Sequence, residues 1–203
     1  AYIREPKFLP SNVLTHSEVR KLIRHIDTST PAGIRDRAII ELLYSSGIRI
    51  GELEILTLED IDLDHAVMKV LGKGTKERMV PIGKTALKWL TSYIRGARPF
   101  MAGHVNTTRS VFLNKKGDPV TGVIVRHMIH EYEKKAKIKI NVTPHTFRRS
   151  CTTEMIKGNA GIYHVKELLG HESLETLRHY AKLNISDLQK THAKCHPREK
   201  DDS

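Results

Sequence analysis

Four short runs and one isolated tyrosine in this 203-residue chain carry side chains suited to a single chemistry. The runs are Ser46-Gly47-Ile48-Arg49-Ile50-Gly51-Glu52-Leu53, Leu71-Gly72-Lys73-Gly74-Thr75-Lys76-Glu77-Arg78, Pro144-His145-Thr146-Phe147-Arg148 and Leu168-Leu169-Gly170-His171. Tyr180 lies nine positions beyond that last histidine. Cleaving a phosphodiester by nucleophilic attack requires three things. Extra negative charge on the non-bridging oxygens must be stabilised, the nucleophile must lose a proton, and the leaving oxygen must gain one. Arginine suits the first task, because its planar fork grips phosphate oxygens and keeps its charge. A phenol has a pKa of about 10 and attacks poorly at neutral pH unless adjacent cations make its phenolate accessible. The chain supplies such cations.

Each residue also has a plainer reading. Arg49 could pair with Glu52 or Glu54 one turn away, as surface arginines commonly do. Lys73 would sit at a hairpin tip, where basic residues are usually solvated. A histidine such as His145 is often a helix-cap residue, and an isolated tyrosine is most often ordinary half-buried packing. His145 and Arg148 are three apart on an expected helix, so they share a face, and the first turn adds partial positive charge. Tyr163 lacks the spacing and stands among core residues. His127-x-x-His130-Glu131 does not follow the His-Glu-x-x-His order that places two ligands and a base on one helix face, so no metal site is expected. No Gly-x-x-x-x-Gly-Lys-Ser/Thr run occurs, and ATP use is not indicated.

The elements that must position these groups can be read from periodicity. Residues 1–14 are polar, carry Pro6 and Pro10, and read as a linker. Thr15-His16-Ser17-Glu18 is a capping box opening a helix to about Ile26. A second helix is expected over Gly33–Ser46, stopped by Gly47, and a short one over Ile50–Leu56. The period then changes: Val67–Leu71 and Met79–Ile82 flank the Gly-Lys-Gly turn as an antiparallel hairpin. Helical spacing returns over Lys84–Arg95. Gly96–Arg109 reads as a loop, and Val111–Leu113 as a strand. Further helices are expected over Gly122–Ala136, Thr143–Lys157, Ile162–Leu169, Leu174–Lys182 and Ile185–Ala193, before a charged tail from His196. The fold class is therefore mainly α with a small antiparallel β-sheet (α+β).

Composition bounds the partners. Lys and Arg outnumber Asp and Glu by 34 to 23, a net charge of +11, and such a field favours polyanions, nucleic acid first. An anionic membrane surface comes second, but no strongly basic amphipathic helix supports it. No apolar run nears the roughly 20 residues needed to span a bilayer. Cys151 and Cys195, in unrelated contexts, form neither a disulfide framework nor a zinc spacing, so a reducing cytoplasm is the expected home.

In order and context, these runs resemble the catalytic domain of the tyrosine recombinases, the phage integrase family, from about Thr15 to Leu183. The resemblance implies the integrase catalytic-core fold over residues 15–183. In it, Arg49 is the first catalytic arginine, with Glu52 orienting its guanidinium. Lys73 is the general acid on a hairpin, and His145, Arg148 and His171 surround the phosphate. Tyr180 is the nucleophile, and Lys76, Arg78 and Arg149 lie on the DNA side. The family usually has serine or threonine where Gly51 stands, and often histidine where Arg149 stands. The implied activity is site-specific DNA recombination through a 3′-phosphotyrosine intermediate, with no metal, ATP or other cofactor. The implied partners are double-stranded DNA and sister subunits in a tetramer on paired DNA sites. Residues 184–203 would hold a helix and tail, docking on a neighbouring subunit through Ile185, Leu188 and His192. The first 14 residues would be the exit linker from an amino-terminal DNA clamp. A type IB topoisomerase, a catalytically idle DNA-binding module and a metal-dependent nuclease are the alternatives.

Overall fold

The computed structural model describes residues 12–72, 76–103, 108–157, 162–170 and 192–194. Its architecture is mostly helical with one three-stranded antiparallel sheet, as expected. Helix α1 (His16–Ile23) opens on the Thr15–Glu18 capping box, and Val19, Leu22 and Ile23 face the core. It stops one turn before the expected end, yet Ile26 still packs inside through a tighter final turn. Helix α2 (Pro31–Ser46) starts at Pro31, where a missing N–H costs nothing, under a Thr30 cap. It is buried on nearly every side and packs against the later helices, which makes it the axis of the domain. Gly47 ends it in the left-handed conformation at φ 61°. A Cβ there would stand 2.7 Å from Leu169 Cδ2, so both backbone and space demand glycine.

Helix α3 (Ile50–Glu54) follows at once, then a 3₁₀ turn (Leu58–Asp60). Strands β1 (Ile61–Asp62), β2 (Val67–Leu71) and β3 (Glu77–Pro81) pair in that order, with Val70 opposite Arg78 and Leu71 opposite Glu77. Met68, Val70 and Val80 point into the core, while Lys69, Leu71, Glu77 and Met79 lie on the outer face.

The expected loop over Gly96–Arg109 is corrected. Helix α4 (Lys84–Ser92) runs through a π-helical turn (Tyr93–Ala97) into α5 (Arg98–Ala102). Gly96 is absorbed by the π turn, and Pro99 falls in the first turn of α5, where proline is tolerated. The buried Arg98 guanidinium donates to the carbonyls of Thr108, Ser110 and Val111 and so pins the following segment. Val111–Leu113 is likewise no strand. Isolated bridges at Thr57–Ser110 and Leu113–Pro119 flank it, and the Tyr93 hydroxyl accepts from Leu113 N at 2.9 Å.

Helices α6 (Gly122–Ala136), α7 (Pro144–Lys157) and α8 (Ile162–Leu169) complete the described domain. The expected helix over Leu174–Lys182 lies outside the described residues. Of the expected final helix, only a turn over 192–194 is described. There the buried His192 ring packs against Ser45 of the same chain. Among the described residues no helix is long and apolar enough to cross a membrane.

Candidate active site

Reversal of the chain at Gly47 puts Arg49 at the N-cap of α3 with an extended backbone. Glu52, one turn on, accepts from Arg49 N at 2.8 Å and from the Arg49 guanidinium at 3.1 Å. The local cap thus aims the side chain, which stays 40% exposed. Arg148 reaches the same place from α7, whose start is fixed by Thr143, Pro144 and Thr146. Thr146 N donates to Thr143 Oγ1, and Thr143 N donates to Thr146 Oγ1. Phe147 and Cys151 on the inner side of α7 hold it against α2. His145, in the same first turn, is exposed.

Arg49, Glu52, His145 and Arg148 line one open cleft of about 380 Å³, with Leu71 and Gly72 of the hairpin as its other wall. Gly72 N donates to Lys76 O at 2.8 Å, which closes the described part of the hairpin beside the cleft.

The carboxyl end of α8 organises this cleft. A helix leaves its last carbonyls without intrahelical partners, and they carry partial negative charge. Here three consecutive carbonyls each take a different arginine. Leu168 O accepts from Arg78 Nε at 3.2 Å, Leu169 O from Arg148 at 2.6 Å, and Gly170 O from Arg49 at 3.3 Å. Arg148 also donates to Gly47 O, the end of α2, at 2.6 Å. Two helix ends therefore fix the buried guanidinium through their backbone carbonyls.

Electrostatics follow from that crowding. Burial, with the nearby Arg49 charge adding to it, brings Arg148 down to about 10, still far above neutrality, so it stays a cation. Burial pushes the Glu52 carboxyl up. Hydrogen bonds from Arg78 and Arg49 outweigh that and hold it below the usual carboxylate range. Three guanidinium groups around one carboxylate leave the cleft with surplus positive charge, which suits an anion. The Cys151 thiol beneath Gly47 is fully buried and pushed up to about 12 by that burial, so it is inert packing.

Of the residues expected at the site, the structure brings together Arg49, Glu52, His145 and Arg148. Lys73, His171 and Tyr180 lie outside the described residues. Lys76 and Arg149 are exposed. Arg78, expected to face DNA, turns inward and grips both oxygens of Glu52 at 2.7 and 3.0 Å. His130 faces Glu133 at 3.3 Å on the exposed side of α6. Sequence reasoning missed the three α8 carbonyls. Gly170 directly after an amphipathic helix was the available signal, since such a glycine marks a helix end.

A model of the phage integrase family matches residues 12–186. Tyrosine recombinase XerD of Staphylococcus epidermidis is 37% identical over 199 residues, covering 97% of this chain and 67% of that protein. Tyrosine recombinase XerC of Pelotomaculum thermopropionicum is 36% identical over 200 residues, covering 97% of this chain and 64% of that protein. Among solved structures, XerA recombinase superimposes with a TM-score of 0.69 at 27% identity, over 92% of this chain and 66% of that one. XerH, captured on its difH substrate before cleavage, shares the fold at a TM-score of 0.68 and 24% identity, over 87% of this chain and 51% of that one. The chain thus spans about two thirds of the length of the curated relatives it matches. With a family model over most of its length and relatives more than a third identical across nearly all of it, this chain belongs to the phage integrase family, the tyrosine recombinases.

Proposed function

We propose that this chain is the catalytic domain, residues 15–183, of a site-specific DNA recombinase. The observation that carries this reading is the convergence of Arg49, Arg148 and His145 on one open, cationic cleft hung from the carboxyl end of α8. The fork of each arginine suits a non-bridging phosphate oxygen, and the charge on a pentavalent phosphorane exceeds that on the substrate diester. The cleft therefore favours the transition state over the ground state.

In this mechanism Tyr180 Oη attacks the scissile phosphorus and its proton passes to solvent or to a base such as His145. The bond to the 5′ oxygen breaks, and Lys73 protonates that oxygen as it leaves. The product is a 3′-phosphotyrosine and a free 5′ hydroxyl. A 5′ hydroxyl from another strand then attacks the phosphotyrosine and expels Tyr180, so the number of phosphoester bonds is conserved. Neither ATP nor a metal ion has a part in these steps. His171 joins the arginines on the phosphate, and Lys76 and Arg149 meet the DNA backbone. Double-stranded DNA is the substrate, and a tetramer on paired sites is the working assembly, with residues 184–203, apart from His192 buried against Ser45 of its own chain, contributing the contact between subunits. Residues 1–14 lead in from a domain on the other face of the DNA.

The test is a nicked suicide duplex, drawn from a randomised pool, that loses the short strand holding the 5′ hydroxyl once cleavage occurs. The expected result is a covalent protein–DNA adduct that forms in EDTA and is absent for Tyr180→Phe. An adduct that survives Tyr180→Phe defeats the assignment of the nucleophile. Binding without any adduct favours an idle DNA-binding module, and relaxation of supercoils without pairing of two sites favours a topoisomerase.

A further inference from the structure

We infer that Arg78 is a positioning residue for phosphodiester cleavage, acting through Glu52 and the end of α8 on the two cleft arginines, and not a contact to DNA. The inference rests on the recombinase reading above.

Each of the three nitrogens of the Arg78 guanidinium has an internal acceptor. Its two terminal nitrogens meet the two oxygens of Glu52 in a bidentate pair, and Nε meets Leu168 O. The side chain is only 16% exposed. Gly170 leaves room for it, since a Cβ there would stand 3.0 Å from the Arg78 guanidinium carbon. Such a fit to a planar group is specific to arginine.

Glu52 is held from both sides. Oε1 accepts from Arg78 at 2.7 Å and from Arg49 at 3.1 Å, and Oε2 accepts from Arg78 at 3.0 Å and from Arg49 N at 2.8 Å. A carboxylate so shared cannot turn to engage the Arg49 guanidinium with both oxygens. Arg49 therefore keeps donors for the cleft. Without Arg78 the buried Glu52 would retain one cationic partner, and its best remaining geometry is a fork-to-fork pair with Arg49. That pair would misalign Arg49 for the extra charge that develops on the phosphorane, a loss felt in the transition state and not in the bound diester. The same substitution would release Leu168 O, whose neighbours Leu169 and Gly170 hold Arg148 and Arg49. Arg78 sits on β3, opposite Val70, so it also ties the hairpin to these groups.

Chemistry and DNA affinity should then separate. The experiment compares wild type, Arg78→Lys, Glu52→Gln and the double variant on the nicked duplex that traps the wild-type adduct. Single-turnover cleavage is read at saturating DNA, and affinity is read across a salt series, below the melting temperature of every variant. For Arg78→Lys, which keeps the charge and loses the fork, cleavage should slow by about 10- to 100-fold, the usual cost of losing a partner that orients a site ligand. Its affinity and salt slope should match wild type. The losses should be less than multiplicative in the double variant, because the two residues share the Glu52 carboxylate.

Wild-type cleavage by Arg78→Lys overturns the inference, as do rate losses that simply multiply in the double variant. A phosphate contact would instead be kept by lysine and lost in Arg78→Gln, with weaker binding and a salt slope reduced by about one. That outcome also overturns it. If Arg78→Lys does not fold, Arg78→Gln takes its place: slowed cleavage at unchanged affinity supports the inference, and a joint loss of affinity and slope defeats it. A purely structural role would lower the melting temperature and leave the cleavage rate of the folded enzyme unchanged. Should wild type itself give no Tyr180-dependent adduct, the recombinase reading fails first and this inference with it.

Discussion

Arg35 and Arg148 are buried to nearly the same degree, 6% and 7% exposed, on different parts of the domain. Their surroundings differ in kind. Arg35 lies against the Asp36 carboxylate at 2.6 and 2.8 Å, donates to Leu113 O, and closes a network that the Tyr132 hydroxyl completes on the other Asp36 oxygen. It is a neutralised cation inside a wall. Arg148 hangs from the carbonyls ending α2 and α8 and shares an open cleft with a second arginine. Burial alone therefore marks neither structure nor function. What marks the second region is like charge held together beside solvent, an arrangement that opposes folding and that a bound anion relieves.

Substitution should split the two regions along those lines. Arg148→Ala removes a phosphate donor and strips partners from Gly47 O and Leu169 O. Cleavage of the suicide duplex should fall by about 10²- to 10³-fold, the cost of a preorganised transition-state donor. Arg35→Ala should instead lower unfolding free energy by about 3–5 kcal/mol in denaturant titrations, since Asp36 would be left buried without its partner. Its folded fraction should cleave normally. Loss of chemistry in folded Arg35→Ala would erase the contrast.

Arg49 sharpens it from the other side. Its side chain is 40% exposed and already half neutralised by Glu52, so Arg49→Ala should cost little stability, within about 1 kcal/mol. Cleavage should nevertheless drop by about 10²-fold at unchanged melting temperature. A drop in stability matching that of Arg35→Ala would show that exposure does not separate the two roles.

Gly47→Ala probes the backbone that carries both. The left-handed φ of 61° and the 2.7 Å approach to Leu169 should together cost about 2–4 kcal/mol. Cleavage by the folded fraction should also slow, because Gly47 O is one of the two carbonyls fixing Arg148. Normal cleavage after a large stability loss would mean that Leu169 O alone suffices.

Much of this framework was legible in the chain, and the reasons are physical. Helix α6 was expected at its observed bounds, and so was α8, since each combines an apolar stripe with a recognisable end. The hairpin was legible from its change of period. Gly96 and Pro99 misled because breakers act by position, and a π turn or the first turn of a helix absorbs them. At the site, Arg49, Glu52, His145 and Arg148 could be chosen because side-chain chemistry and spacing agreed with the resemblance to the integrase family. The inward turn of Arg78 could not, because its partners come from α3 and α8 and exist only after packing. Gly170 marked the helix end that orphans the three carbonyls, but which arginines reach them is decided only by the fold.

Glu52 and Asp36 extend the comparison to pH, with the smallest expected effects. Both are buried carboxylates bound by arginine, yet they shift in opposite directions. Burial raises Asp36 despite Arg35, whereas for Glu52 the hydrogen bonds from Arg78 and Arg49 overcome burial and lower it. With Glu52 depressed in the folded state, its contribution is fully present above its ordinary value of 4.5 and is lost as pH falls through the folded value. With Asp36 raised, its contribution is present below the ordinary 3.8 and is lost as pH climbs through the folded value. Denaturant midpoints followed across the carboxylate range should therefore diverge. The deficit of Glu52→Gln relative to wild type should shrink on acidification. Wild type should gain on Asp36→Asn over the same descent. If both variants changed with the same sign, the two arginine–carboxylate pairs would be electrostatically equivalent, and the difference between wall and cleft would rest on geometry alone.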